Sequence, residues 1–320
     1  MYKIINYYKQ KNKTFLLGLL LFLVGVAQLK AQTTPLLTES FNYPNSTVLT
    51  SANWSNVASA GTNNVTAYSG NLTYPGTIGN TIGNKATLTD NGQDVSRSFT
   101  STNVTTSVPM YVSMVVNVSD AKTGDYFFML GGVPVYIRTN GSGGFNFGIN
   151  KTNSASTVQY ESTARTLNQN YLLVLKYEVV SGTTNDVVKL FVNPSLSTEP
   201  STADVSYTLT GATAGTDVTS FSSLSLYQGT ALTSPKLDID GINVGTTWAS
   251  VTSAIYDYGD LPVSYDTSKD NIFIPAVHAP LANLYMGSTA PDVELGPASV
   301  TSPNDNNGSN GDGADEDAIV

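Results

Sequence analysis

A chain of 320 residues with twenty-four Asp and Glu against fifteen Lys and Arg carries a formal charge of −9, and it holds no cysteine and one histidine. That acidity excludes a nucleic-acid partner, which needs a basic footprint to offset phosphate charge. The missing thiols exclude disulfides, a lone histidine cannot build a zinc site of four nitrogen or sulfur ligands, and any Ser-His-Asp arrangement has only His278 to use.

The chain opens with Lys3, Lys9, Lys11 and Lys13, followed by an apolar run from Phe15 to Ala27. That run has the length of a signal-peptide core and is short for a bilayer span. A small residue, Ala31, closes Leu29-Lys30-Ala31. We therefore expect residues 1–31 to be a cleaved signal peptide and the protein to be secreted or held at the cell surface. Cleavage leaves ten Lys and Arg against twenty-four Asp and Glu, a net charge of −14. No later segment is apolar enough to span a membrane, so no membrane span is expected after cleavage.

From about residue 36 to 252 the chain shows short alternating runs punctuated by turn residues. Met110 to Val118 alternates with period two; Tyr126 to Leu130, Val133 to Arg138 and Phe145 to Ile149 follow, separated by Gly131-Gly132 and Asn140-Gly141-Ser142-Gly143-Gly144. Tyr171 to Val180 and Val187 to Val192 flank a polar turn, which predicts a hairpin. Val205 to Leu209, Phe221 to Tyr227 and Leu237 to Val244 bring the count to at least eight strands. Many short strands without helical periodicity predict an all-β sandwich or jelly roll.

Composition breaks near residue 255. Beyond Ile255 the chain carries eleven acidic residues and one base, Lys269, and strand-like runs give way to Pro, Asn, Gly and Asp. Residues 303–317 cannot bury enough apolar surface to fold alone. Calcium is the cation this segment suits: Asp305, Asn307, Asp312, Asp315 and Asp317 supply hard oxygen donors at short spacing. The register departs from the twelve-residue EF-hand loop, and a solvated acidic linker is the plainer alternative. A second cation candidate joins Asp238 and Asp240 to Asp257 and Asp260 if the segment folds back. The chain stops at Ala318-Ile319-Val320, and we expect further domains beyond it.

The hairpin Tyr171 to Tyr177 and Lys189 to Pro194 resembles the paired strands of concanavalin A-like, laminin-G-like jelly-roll domains. The opening Glu39-Ser40-Phe41-Asn42-Tyr43 and the closing Ile239 to Trp248 are similar to the first and last strands of such domains in exported bacterial proteins. This likeness spans residues 36–252. After it, Asp257 to Tyr265, Val277-His278, Leu284 to Ser288, Asp292 to Glu294 and Asp312 to Asp317 resemble the segment that precedes GEVED domains in bacterial surface proteins. Ala318 stands where that family usually has Gly, and the GEVED signature itself is absent. The resemblance implies a concanavalin A-like jelly-roll β-sandwich, an extended acidic segment over 253–320, and a multidomain cell-surface setting without an established activity.

Catalysis fits these residues poorly. His278 lies among prolines with nothing to fix its tautomer. Retaining glycoside hydrolysis needs two carboxylates about 5–5.5 Å apart, commonly from one strand. The jelly-roll portion has four glutamates, Glu39, Glu161, Glu178 and Glu199, and none has an acid two residues away. Asp238 and Asp240 share a strand face without a third acid, which reads as a turn or a cation-ligand pair. We expect a non-catalytic module for adhesion or for recognition of a glycan or protein. Its candidate stacking rings are Trp54, Tyr68 and Tyr74, although such rings more often fill cores and edges. A jelly-roll polysaccharide hydrolase and an architectural spacer are the alternatives.

Overall fold

The computed structural model describes residues 34–59, 62–74, 83–89, 91–152 and 154–252, with the backbone of 257–258 and 277–278. In chain order the strands are β1 (Leu37–Glu39), β2 (Thr47–Val48), β3 (Ser55–Ala58), β4 (Thr66–Tyr68), β5 (Lys85–Leu88), β6 (Asp94–Asn103), β7 (Met110–Asp120) and β8 (Asp125–Leu130). There follow β9 (Val133–Thr139), β10 (Gly144–Ile149), β11 (Gln159–Tyr160), β12 (Arg165–Thr166), β13 (Asn170–Glu178), β14 (Val187–Val192), β15 (Val205–Tyr207), β16 (Ser220–Leu226) and β17 (Lys236–Gly245). One turn of helix, α1 (Ala249–Thr252), ends the continuous part.

The first sheet runs β15-β14-β13-β7-β17-β5-β4-β2, with β1 also on β17; the second runs β11-β10-β9-β8-β16-β6-β3, with β12 on β10. Every pairing is antiparallel. The two sheets form a jelly-roll β-sandwich, and the predicted hairpin is present with Leu175 opposite Leu190.

The strand with the clearest alternation shows how the sequence builds the layers. Met110, Val112, Met114, Val116 and Val118 of β7 point into the main core with Phe128, Val135 and Phe147 of the second sheet. Its alternate residues Tyr111 and Val115 join Leu172, Val174, Phe191 and Trp248 in a smaller cluster on the outer face of the first sheet. Both faces of the central strands are therefore covered, which is why several of the outward residues of β7 and β13 are apolar as well. At the β8–β9 turn Gly131 has φ 56°, and a Cβ there would stand 2.7 Å from the Phe221 ring, so glycine is required twice over.

Two expectations need amendment. The Ser- and Thr-rich β6 carries no apolar alternation that would predict it, because only Val95 is buried in the core and Phe99 partly packs on it. Beyond residue 255, where no strand is expected, β18 (Asp257–Tyr258) pairs with β19 (Val277–His278), setting His278 opposite Asp257.

Candidate functional site

Trp54 is not a ligand platform. It is 3% exposed, its ring lies stacked on Phe41 at 5.9 Å, and Nε1 donates to Glu39 Oε2 at 3.0 Å. Glu39 is itself buried and also accepts from the Phe41 N–H and the Tyr43 hydroxyl, both at 2.8 Å. The rule that a large ring with one polar atom packs inward when that atom finds a partner decides the case.

Tyr68 and Tyr74 lie on the outer side of the first sheet. Tyr68 is 43% exposed and faces Lys85 across β4–β5, while Tyr74 packs on the smaller cluster. Asp238 does share the outward face of β17 with Asp240, but the two are neither a turn nor a cation pair. Asp238 accepts from Thr87 Oγ1 at 2.6 Å and pairs with Lys85 Nζ at 2.8 Å. Asp240 is fully buried and accepts from the Leu72 and Gly241 N–H groups; burial, aided by Glu39, pushes its carboxyl up to about 8 against those two bonds and Lys85. The side chain of Asp257 and the whole of Asp260 lie outside the described residues.

The remaining glutamates hold structure. Glu161 receives Arg165 Nε and Nη2 on one oxygen and the Phe147 N–H on the other. Glu178 pairs with Lys176 and Lys189, and Glu199 with Lys176 and the Tyr111 hydroxyl. Among the described residues no three His, Asp or Glu side chains gather to hold a metal ion. Asp305, Asn307, Asp312, Asp315 and Asp317 lie outside the described residues.

A different cluster stands on the outer face of the second sheet. Tyr160 of β11 and Tyr136 of β9 both register on Gly148 of β10, and Tyr136 registers on Tyr126 of β8. A bulge at Phe127 makes this possible. It turns Phe127 and Phe128 both into the core and brings Tyr126 out beside Tyr136. The bulged carbonyl of Phe127 accepts the Tyr227 N–H at 2.9 Å, which sets Tyr227 next in line. Tyr126 meets Tyr136 edge to face at 5.7 Å and Tyr227 at 5.0 Å.

Gly148 shapes one end of the row. A Cβ there would stand 2.5 Å from the Tyr160 ring, so only glycine lets the ring lie across the strand; Arg138 then covers the ring, its Cζ 3.7 Å from the centroid. Tyr136 lies deepest, 3% exposed, and among the described residues its hydroxyl has no hydrogen-bond partner. Burial first, then the neighbouring Asp125, raises the Tyr136 hydroxyl; burial also raises Tyr160 and Tyr227.

Two acids border the other end. Asp125 accepts from its neighbour's N–H at Tyr126 and from Thr233 Oγ1 at 3.0 Å. Asp94 accepts the Gln228 N–H at 2.8 Å. Gln228 is buried, accepts from Thr89, and donates to the carbonyls of Asn63 and Gln93, locking three loops under this rim. The braced turn Thr230 to Ser234 carries Leu232 at its tip, 78% exposed. The row escapes sequence reading because it depends on a bulge and on strand register; the tyrosines flanking Gly131-Gly132 are the one signal that could have suggested it.

No protein-family model and no curated protein sequence matches the chain. Among solved structures it is similar to an endo-1,3-beta-glucanase from Streptomyces sioyaensis, at 14% identity over 66% of this chain and 95% of that one, with a TM-score of 0.39. It is also similar to the binding domain of botulinum neurotoxin serotype D, at 13% identity, 67% and 48% coverage and a TM-score of 0.36. A third likeness is to the heptameric SAP-like pentraxin of Limulus polyphemus, at 12% identity, 47% and 72% coverage and a TM-score of 0.31. The chain spans about half the length of the neurotoxin domains it matches, 48%.

Proposed function

We propose that this chain is an exported, non-catalytic module for glycan recognition, with the tyrosine row of the second sheet as its contact surface. One observation supports the reading above others: four tyrosines share one outer face, among them Tyr136 with a hydroxyl that no described residue bonds, and two carboxylates border the row. Aromatic rings accept the C–H faces of sugars, and carboxylates accept from their hydroxyls. The rigid sandwich supplies the preorganisation that weak individual contacts need. In the same reading residues 253–320 join the module to following domains of a cell-surface protein of the GEVED-bearing kind, serving adhesion. Calcium on Asp305, Asn307, Asp312, Asp315 and Asp317 would stiffen that joint.

A glycan array probed with the secreted chain and with a Tyr160→Ala, Tyr227→Ala variant tests the reading. A signal that falls about tenfold or more in a variant of unchanged melting temperature supports it. A signal untouched by the substitutions moves the contact elsewhere, and silence with every glycan leaves the spacer role. For the joint, millimolar calcium should raise the melting temperature of the whole chain and not that of a chain ending at Thr252.

A further inference from the structure

Two glycines clear a place for one cation on the outer face of the second sheet. A Cβ on Gly124 would stand 2.6 Å from the Cβ of Arg138, and a Cβ on Gly148 would stand 2.5 Å from the Tyr160 ring. Arg138 lies over that ring, its Cζ 3.7 Å from the centroid, and its charge works against burial at the Tyr160 hydroxyl. What this guanidinium lacks is an acceptor. Arg97 bonds the Asn53 carbonyl, and Arg165 bonds Glu161 and Asp204. Arg138 makes neither a hydrogen bond nor an ion pair with any described residue, and the Tyr160 hydroxyl has no described partner either. Stacking uses one face of a guanidinium and leaves its in-plane N–H groups open, and Arg138 is exposed. The acids of the row do not take up that charge. Asp125 accepts from the Tyr126 N–H and the Thr233 and Ser234 hydroxyls, and Asp94 opens β6, three strands from β9 in the sheet.

We propose that Arg138, held over Tyr160, receives the carboxylate of a uronic acid residue in a glycan lying along the tyrosine row. This rests on the glycan reading of the same face. A planar carboxylate matches the forked edge of a guanidinium, and the Tyr160 hydroxyl supplies a further donor. From Tyr160 on β11 to Tyr227 just after β16 the row crosses five neighbouring strands, roughly 19 Å at the usual strand spacing. A short oligosaccharide fits that length with its acidic residue at the Arg138 end. At the far end Asp94 repels a second carboxylate, so the ligand is a mostly neutral glycan that carries a uronate rather than a polyuronate.

Titration calorimetry of the full chain with neutral tetrasaccharides ending in one glucuronate, galacturonate or mannuronate tests this, each acid set beside its own methyl ester. At a pH of about 6 the free carboxyl is ionised, and esterification removes its charge while keeping the sugar. At least one acid should bind about tenfold tighter than its ester, as a charge-assisted forked pair warrants. Arg138→Gln should bring that acid down to its ester. Should the variant fold poorly, nuclear magnetic resonance on the unaltered chain decides: the Arg138 Nε–H signal should move with the acid and not with the ester. Equal binding within all three pairs overturns the uronate site while leaving the glycan reading intact. A preference that survives Arg138→Gln, or an Arg138 signal unmoved by a bound acid, also overturns it. A sulfate ester of the same neutral sugar that binds more tightly than every uronate overturns the carboxylate assignment. No binding by any of these ligands, together with a silent array, brings down the glycan reading itself.

Discussion

Lys151 Nζ lies 2.5 Å from Asp217 Oδ1, and the lysine side chain is entirely buried. The pair ties the end of β10 to the start of β16. Asp217 also accepts the N–H groups of Asn185 and Asp186, so the turn of the β13–β14 hairpin hangs on the same carboxylate. Asp217→Asn leaves an ammonium buried without a counter-charge, which should cost about 3 kcal/mol. That corresponds to a melting temperature lower by roughly 6–12 °C for a domain of this size. Lys151→Met should cost less, because Asp217 keeps its backbone donors. Thermal unfolding of both variants checks the order; a lysine variant that suffers more than the aspartate variant would contradict it.

Trp54 separates a ligand role from a packing role. Trp54→Ala opens a cavity against Phe41 and removes one of Glu39's donors, so the expected loss is about 3–5 kcal/mol. Trp54→Phe fills most of that volume and deletes only the N–H, with an expected loss of about 1 kcal/mol, because Tyr43 still donates to Glu39. Glycan binding per folded molecule should be unchanged in both. Denaturant melts paired with calorimetry read the two quantities separately.

How much of this was legible follows from where each signal is stored. Period-two alternation sits within one strand, so β7, β9, β13, β14 and β17 are readable from residues alone, to within a residue or two at their ends. β6 is not, since its outward Ser and Thr carry no apolar rhythm. Trp54 sits among Asn53, Ser55 and Asn56 and reads as a loop ring, yet the carboxylate that draws it inward lies fifteen residues back. The tyrosine row is stored in register: Tyr160, Tyr136 and Tyr126 meet only through Gly148 and the bulge at Phe127. Spacing along the chain holds no trace of either.

Asp240 gives a pH dependence with a definite sign. Its folded value is pushed up to about 8, chiefly by burial, from an unfolded value of 3.8. A raised carboxyl holds its proton longer in the fold than in the unfolded chain. Its contribution to stability is full below about pH 4 and is lost as pH rises toward about 8. Asp240→Asn cannot ionise. It forfeits one of the two N–H bonds, so it should be less stable than the parent in acid, and the deficit should narrow as pH rises. Urea melts at about pH 4, 6 and 8 measure this, and parallel pH profiles for parent and variant would show that Asp240 ionises without cost.

Tyr136→Phe isolates the contact surface from the fold. The ring packs edge to face on Tyr126 and is nearly buried, so replacing it with alanine would leave a cavity and confuse stability with binding. The hydroxyl alone is dispensable to folding, since no described residue bonds to it. Removing an unpaired polar atom from a nearly buried place should leave stability within about 0.5 kcal/mol of the parent, or raise it. If the hydroxyl is a ligand contact, affinity for any glycan that binds should fall by about 1 kcal/mol, roughly fivefold. Unfolding and binding measured on the same sample separate the cases. Lost stability would reveal a structural partner for the hydroxyl, and unchanged affinity would move the ligand away from Tyr136 toward Tyr160 and Arg138.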